Sequence, residues 1–312
     1  MKQIIIIGHE NPDTDTVVSA IVLSEIINEN QKPIEGQATP KIGAPLNKET
    51  ELVLNKFNRI TPEIAESLKE KDVFLVDHGD FSQSVSGIEE ANLIGVLDHH
   101  KMGGITTSTP IYYRAEPIGC SSTIIAKMCF QEGIDLTKEQ AGLLLSAIIS
   151  DTLKLTSPTT TKEDEEIVHK LIEISGQNFD ELAEAMFEAK ADISGISTVE
   201  LVLKDYKGYE AGGKKFGIGT WETIKPEKIE VLKEEILSVL KRVKEEKGLD
   251  LVFFALVDVL KKTTIIFLLD SDKEKLEQIF ETRSENNSLV LKGVVSRKKQ
   301  MVPPIINFLE KK

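Results

Sequence analysis

Ile4-Ile5-Ile6-Ile7-Gly8-His9-Glu10-Asn11-Pro12-Asp13-Thr14-Asp15 passes from four consecutive isoleucines straight into a polar segment with one imidazole and three acidic side chains. An unbroken β-branched run of this kind predicts a strand covered on both faces, as in a parallel sheet. Val73 to Val76 and Leu93 to Leu97 repeat the pattern, and a helical stretch over Thr16 to Asn28 separates the first strand from them. Strands alternating with helices predict an α/β fold, with a parallel sheet flanked by helices. From Gly119 to about Lys190 the reading is mostly helical, with Ile167, Leu171 and Ile174 at helical spacing.

The helical pattern stops near Ala189 to Gly195, and a second αβ series follows. It comprises a helix from Thr198, strands near Tyr209 and over Lys215 to Trp221, and one long amphipathic helix over Pro226 to Lys247. Strands at Leu251 to Val257 and Thr263 to Leu269 are joined by a turn at Asp258 to Lys262. We read residues 1–188 as the first domain, 189–195 as a hinge and 196–312 as a smaller α/β domain, with the active site expected in the cleft between them.

The 312 residues suit about two domains. With 38 basic and 51 acidic residues the net charge is −13, which argues against a sequence-independent grip on nucleic acid. A small anionic substrate is still compatible, provided cations hold it. Asp258 interrupts the apolar run Leu251 to Leu260, so nothing approaches the ~18 residues of a membrane span. Met1-Lys2-Gln3 leads directly into the first strand without a secretion signal, and the spacing of Cys120 and Cys129 fits neither a metal pair nor a redox motif. We expect a cytoplasmic protein with two reduced thiols.

Four of the five histidines, at 9, 78, 99 and 100, fall in three clusters, each directly after a strand: Gly8 to Asp15, Asp77-His78-Gly79-Asp80, and Asp98-His99-His100. Carboxyl ends of parallel strands line one sheet edge, so the clusters should converge there. One Asp or His at a strand end is usually a cap or a satisfied polar group. Three such clusters together favour a ligand set. Mixed imidazole and carboxylate suits a divalent transition ion, and this many ligands suits two ions sharing one carboxylate. Asp77 is placed to be that bridge. His169, inside the helix Lys162 to Ile174, reads as an ordinary surface residue.

Near the C-terminus, Gly293-Val294-Val295-Ser296-Arg297-Lys298-Lys299-Gln300 sets three adjacent cations in an acidic chain. Alone, such a run is most simply a solvated stretch. Beside a dinuclear metal site it supplies the counter-charge that an anionic phosphate substrate requires.

These motifs closely resemble the manganese-dependent family II inorganic pyrophosphatases of the Asp-His-His phosphoesterase superfamily. The resemblance extends through Tyr112-Tyr113-Arg114-Ala115-Glu116-Pro117, Gly119-Cys120, Ser146-Ala147-Ile148-Ile149-Ser150-Asp151 and Lys292 to Gln300. It implies His9, Asp13 and Asp77 as ligands of one metal, and Asp15, Asp77, His99 and Asp151 as ligands of the other. It further implies that His100, Lys207, Arg297 and Lys298 contact pyrophosphate, and that Asp98 orients a neighbouring histidine. Where the family usually has Asn and Glu after its second Asp-His pair, this chain has Gly79 and Asp80. There is no room for the regulatory nucleotide-binding insert of longer members.

The expected reaction is hydrolysis of pyrophosphate to two phosphates by a metal-bridging hydroxide, with two Mn2+ (or Co2+) per subunit. Additional Mg2+ is expected to arrive with the substrate, and the family resemblance implies a homodimer through the N-terminal domain. Exopolyphosphatase is the nearest alternative. Nuclease relatives typically carry a Gly-Gly-Gly-His motif, and this chain has no histidine after His169. A metal-binding protein without turnover would bind pyrophosphate and release no phosphate.

Overall fold

The four isoleucines do form a buried strand. In the computed structural model, which describes residues 2–310, β1 (Gln3–Ile7) lies inside a six-stranded sheet, with Ile4, Ile6 and Ile7 at no more than 1% exposure. The other strands are β2 (Gln37–Ile42), β3 (Glu63–Ile64), β4 (Asp72–Val76), β5 (Asn92–Asp98) and β6 (Tyr112–Ala115). All pairs are parallel, in the order β3-β2-β1-β4-β5-β6. The chain leaves β1 for β2 on one side and later returns to β4 on the other. That reversal places a crevice at the carboxyl ends of β1 and β4, the usual ligand position in open α/β sheets.

The helices of this part are α1 (Thr14–Asn30), α2 (Lys48–Lys56), α3 (Ser121–Glu132), α4 (Lys138–Asp151), α5 (Lys162–Ser175) and α6 (Phe179–Lys190). Each of the first five has an identifiable start: Asp13, Asn47, Thr137 and Thr161 cap the N-termini of α1, α2, α4 and α5 through their side chains, and Cys120 occupies that position in α3. His169 is exposed on α5, as expected.

The chain divides by its internal contacts into Met1–Ala189 and Lys190–Lys312. The second unit contains α7 (Thr198–Leu203), β7 (Tyr206–Ala211), β8 (Lys214–Thr223), α8 (Glu227–Glu230), α9 (Lys233–Lys247), β9 (Leu251–Asp258), β10 (Thr263–Leu268), α10 (Lys273–Phe280), β11 (Ser288–Lys292) and α11 (Val302–Glu310). Its sheet is mixed, ordered β11-β10-β9-β8-β7, with only β8 and β9 parallel. β9 is buried throughout. Leu251, Phe253, Ala255 and Val257 enter one core, and Val252, Phe254 and Leu256 the other, which is the two-residue alternation of a central strand.

Two local readings change. The helix expected over Pro226 to Lys247 is interrupted: the Leu232 N–H bonds the Ile229 carbonyl, closing α8, and α9 restarts at Lys233. Val231 at the break is 81% exposed, so no packing holds this β-branched residue in a helix. β2 escapes a search for apolar runs because it reads Gln37-Ala38-Thr39-Pro40-Lys41-Ile42. Pro40 is tolerated there because β3 pairs only with Lys41 and Ile42, leaving Pro40 effectively on an edge.

In the interior of α4, Gly142 faces the buried Phe57 ring, and a Cβ there would lie 2.1 Å from a ring carbon. Gly142→Ala gains about 1 kcal/mol of helix propensity, while overpacking costs about 1–3 kcal/mol. We expect a net loss of stability, read as a lower denaturant midpoint.

Candidate metal centre

The loops after β1, β4 and β5, the first turn of α1 and the end of α4 bring six side chains together. Among the described residues, potential ligand atoms of His9, Asp13 and Asp77 lie within 4.8 Å of one another, as do those of Asp15, Asp77, His99 and Asp151. Asp77 belongs to both sets. A third group, Asp77, His99 and His100, overlaps them.

Asp77 follows β4 with φ +61°, a left-handed conformation uncommon for a residue with a Cβ. The turn keeps the carboxylate 1% exposed at the crevice rather than beside the next strand. Oδ2 lies 3.4 Å from His9 Nε2 and Oδ1 3.3 Å from His99 Nε2. Thr16 Oγ1 donates to Oδ2 at 2.7 Å and Ser121 Oγ to Oδ1 at 3.1 Å. Burial pushes Asp77 up, but the adjoining imidazoles of His9 and His99 prevail and hold it well below the usual carboxylate range.

Asp15, fully buried on the first turn of α1, is cradled by the N-terminus of α3. Ser121 N–H donates to Oδ2 at 2.6 Å, while Ser122 N–H at 2.9 Å, Ser122 Oγ at 2.6 Å and Ser19 Oγ at 3.0 Å donate to Oδ1. A helix N-terminus favours an anion. Even so, burial first and the charge of Asp77 second raise Asp15 to about 6, against the opposing pull of His99 and Ser122. Asp13 accepts the Thr16 N–H through Oδ1, which leaves Oδ2 3.4 Å from His9 Nε2. Asp151, the last residue of α4, reaches within 3.8 Å of His99 Nε2.

His99 supplies the test of fit. Its Nδ1 is 3.0 Å from the Ile118 carbonyl, a contact that assigns the proton there and aims Nε2 at the carboxylates. Nε2 is buried and has no well-aligned hydrogen-bond partner among the described residues, although Asp77 Oδ1 is 3.3 Å away. A lone pair facing carboxylates calls for a proton or a cation between them. Without a metal, a proton takes that place: burial lowers the imidazole, but Asp77 and Asp15 raise it to about 9, and Asp13 and Asp77 raise His9 against its burial to about 10. Nitrogen and carboxylate donors converging this way fit a transition dication such as Mn2+.

His78 takes no part. It is buried, with Nδ1 3.0 Å from the Val76 carbonyl and Nε2 2.7 Å from Ser84 Oγ, and burial lowers its pKa. Asp98 Oδ1 accepts from His100, both from its N–H and at Nδ1, each at 3.0 Å, so the expected orienting contact is present. That contact comes first in raising His100, ahead of the opposing burial. Asp80, at the departure from the family pattern, caps the one-turn helix Phe81–Gln83 through the Ser82 N–H. Glu49 was not foreseen. This buried α2 residue accepts from Thr14 Oγ1 at 3.2 Å and from Ser150 Oγ at 2.8 Å, linking the neighbours of Asp13, Asp15 and Asp151.

Beyond Asp151 the chain makes a left-handed turn through Leu153, Lys154 and Leu155, with φ of 48°, 59° and 64°. Lys154 N–H reaches back to the Ile149 carbonyl at 2.9 Å, and Ser157 N–H to that of Thr152 at 2.8 Å.

In the second unit, Lys207 is exposed on β7, and Lys298 is exposed on a π-helical turn, Arg297–Met301, that leads into α11. Arg297 is different: its side chain is 10% exposed and held by Asp205 and Thr220.

Residues 3–148 match the DHH family, N-terminal domain, and residues 184–308 match the DHHA2 domain. A manganese-dependent inorganic pyrophosphatase from Methanocaldococcus jannaschii is 41% identical over 309 residues, spanning 96% of this chain and 97% of the relative. This chain belongs to the family II inorganic pyrophosphatases. One from Bacillus subtilis is 39% identical over 99% of both chains. A crystal structure from Methanococcus jannaschii, described as a candidate family II inorganic pyrophosphatase, is 40% identical, covers 98% of this chain and 99% of its own, and superposes with a TM-score of 0.66. Matches of such length on both sides agree with the absence of a large insert. Among the described residues no helix is long and apolar enough to cross a membrane, and both cysteines are buried free thiols.

The protons on His9 and His99 must leave when a cation binds. Metal-free protein titrated with Mn2+ near pH 7 should release about two protons per chain, measurable by calorimetry in buffers of different ionisation enthalpy. Apparent affinity should rise with pH until these groups titrate, near 9 and 10. Because both folded values exceed the ordinary 6.5, their contribution to stability without metal is complete below pH 6.5 and lost as pH climbs through about 9 to about 10. A melting temperature flat across that interval would contradict this reading.

Proposed function

We propose that this protein hydrolyses inorganic pyrophosphate to two phosphates, with two Mn2+ or Co2+ ions held by His9, Asp13 and Asp77 and by Asp15, Asp77, His99 and Asp151. The observation that carries the reading is the pair of ligand clusters sharing one buried carboxylate, Asp77, in a chain of the pyrophosphatase family. When bound, the ions supply Lewis acidity toward water and phosphate oxygens. The rest falls to the protein. Asp77 fixes the spacing of the two clusters, with Thr16 and Ser121 directing its oxygens. Asp98 holds the His100 ring in one orientation, and His100 contacts the substrate. Lys207, Arg297 and Lys298 supply the positive charge that the carboxylate-lined centre lacks.

The finer assignments are also proposals. Residues 1–188 form the metal-binding part, 189–195 the hinge and 196–312 the phosphate-binding part; the contact division at Ala189 and Lys190 supports this, as does a turn closed by Ile196 N–H on the Ile193 carbonyl. Mg2+ arrives with pyrophosphate, and the chain is a cytoplasmic homodimer that pairs through its first domain. The net charge of −13 supports a small anion held by metals over nucleic acid as substrate.

A phosphate-release assay on metal-stripped protein, titrated with Mn2+, Co2+ and Mg2+, tests the reading with pyrophosphate, tripolyphosphate and a short oligonucleotide as substrates. Pyrophosphate turnover restored by Mn2+ or Co2+ is expected. Preference for tripolyphosphate would move the assignment to exopolyphosphatase, and binding without phosphate release would remove the enzyme reading. Mn2+ should bind far more tightly than Mg2+, because imidazole nitrogen suits the former.

Asp77→Ala should be more damaging than Asp13→Ala, since it removes a ligand from both clusters. Two fully occupied metals in the Asp77 variant would refute the sharing. Arg297→Ala and Lys298→Ala should each leave Mn2+ affinity nearly unchanged and lower kcat/KM by about 10²-fold, the scale of one lost preorganised donor. Undiminished hydrolysis would return the Ser296 to Gln300 run to an ordinary solvated stretch.

A further inference from the structure

Arg297 has five N–H donors, and the structure divides them unevenly. Nη2 donates to Asp205 Oδ1 at 2.7 Å, and Nη1 donates to the Asp205 backbone carbonyl. Nη1 also reaches Thr220 Oγ1 at 3.1 Å and, more weakly, the Ile218 carbonyl at 3.5 Å. One residue thus takes the end-on edge of the guanidinium twice, through its carboxylate and through its backbone. The side-on edge, made of Nε–H and the second Nη2–H, has no hydrogen bond among the described residues. Two parallel N–H bonds from a guanidinium edge are how arginine takes a phosphate oxygen pair.

The strand next to this contact adds a second cation. Lys207 lies two residues beyond Asp205, which ends the turn leading into β7, and is exposed on that strand. Thr220 N–H donates to the Asp205 carbonyl at 3.2 Å, which ties the start of β7 to β8 at the point where Arg297 is held. An acidic side chain beside a phosphate-binding group is unfavourable by charge alone. Its placement is understandable if the gain is orientation.

We propose that Asp205 is a positioning residue, holding the end-on edge of Arg297 so that the side-on edge is presented to a phosphate group of the substrate. The inference rests on the reading of Arg297 as a pyrophosphate-binding residue. Asp205 does not touch substrate itself. Its side chain is 53% exposed, and without that carboxylate the nearly buried Arg297 keeps its bonds to the Asp205 backbone carbonyl and Thr220 Oγ1, so little stability should be lost. Orientation and stability can therefore be separated.

The test uses the full-length, Mn2+-loaded protein as wild type, D205A, D205N, R297A and D205A/R297A. Measurements are pyrophosphate kcat and KM, equilibrium binding of methylenediphosphonate by calorimetry, and the melting temperature. We expect D205A to weaken methylenediphosphonate binding and lower kcat/KM by between about tenfold and 10²-fold, the scale of a misplaced binding group, with the melting temperature unchanged. Every variant keeps the backbone carbonyl, and D205N, which also keeps a side-chain oxygen of the same shape, should recover most of the loss. The double variant should be no worse than R297A, because Asp205 acts only through Arg297. D205A indistinguishable from wild type, a melting temperature that falls in step with activity, or a further loss on the R297A background would each overturn the proposal. R297A at wild-type activity would instead strike the underlying clamp reading, and the Asp205 role with it.

Discussion

Asp77 brings a carboxylate into a site where water cannot solvate it, within reach of three imidazoles and three further carboxylates. A buried anion is costly unless hydrogen bonds and opposite charge surround it, and much of the first unit can be understood as that surround. Thr16 and Ser121 donate to it from two different helices, and His9 and His99 approach its two oxygens from opposite loops. The positive φ of Asp77 belongs to the same arrangement, because an ordinary extended residue there would continue the direction of β4 and carry the carboxylate away. Local strain is accepted for the convergence it allows.

Much of this was legible in the chain. Four isoleucines, then Val73 to Val76, then Leu93 to Leu97 announce buried parallel strands, and in such a sheet the residue after each strand has a known place. That is why His9, Asp77 and His99 could be picked out although they are far apart in sequence. Asp151 required the family resemblance, since nothing at the end of a helix singles out an aspartate from its neighbours. Ser121, Ser122, Thr16 and Glu49 were not legible at all. A lone hydroxyl or an acid in a helix's first turn is an ordinary capping feature, and only the fold shows these side chains facing Asp15, Asp77 and Ser150.

The second unit was harder for a different reason. β9 is apolar from end to end and stands out, but β7 and β11 have exposed faces and mixed composition, so their pairing depends on neighbours. The cationic run from Arg297 to Lys299 was visible as charge. Its internal inequality was not: Arg297 is nearly buried against Asp205, while Lys298 and Lys299 are exposed. Like charges adjacent in a sequence take unequal places once one of them is tied down.

The two units also keep separate books of apolar packing. The second has a core on each face of its own sheet, one around Phe253 and one around Phe254, while the first has its own around Leu75 and Val96. The clusters around Phe253 and Phe254 draw all their residues from the second unit, and the cluster around Leu75 draws its own from the first. In an evolving lineage this separates two kinds of variation. Side chains of the second sheet can vary with their own cores, while the atoms that gather around Asp77 are placed by elements of the first unit.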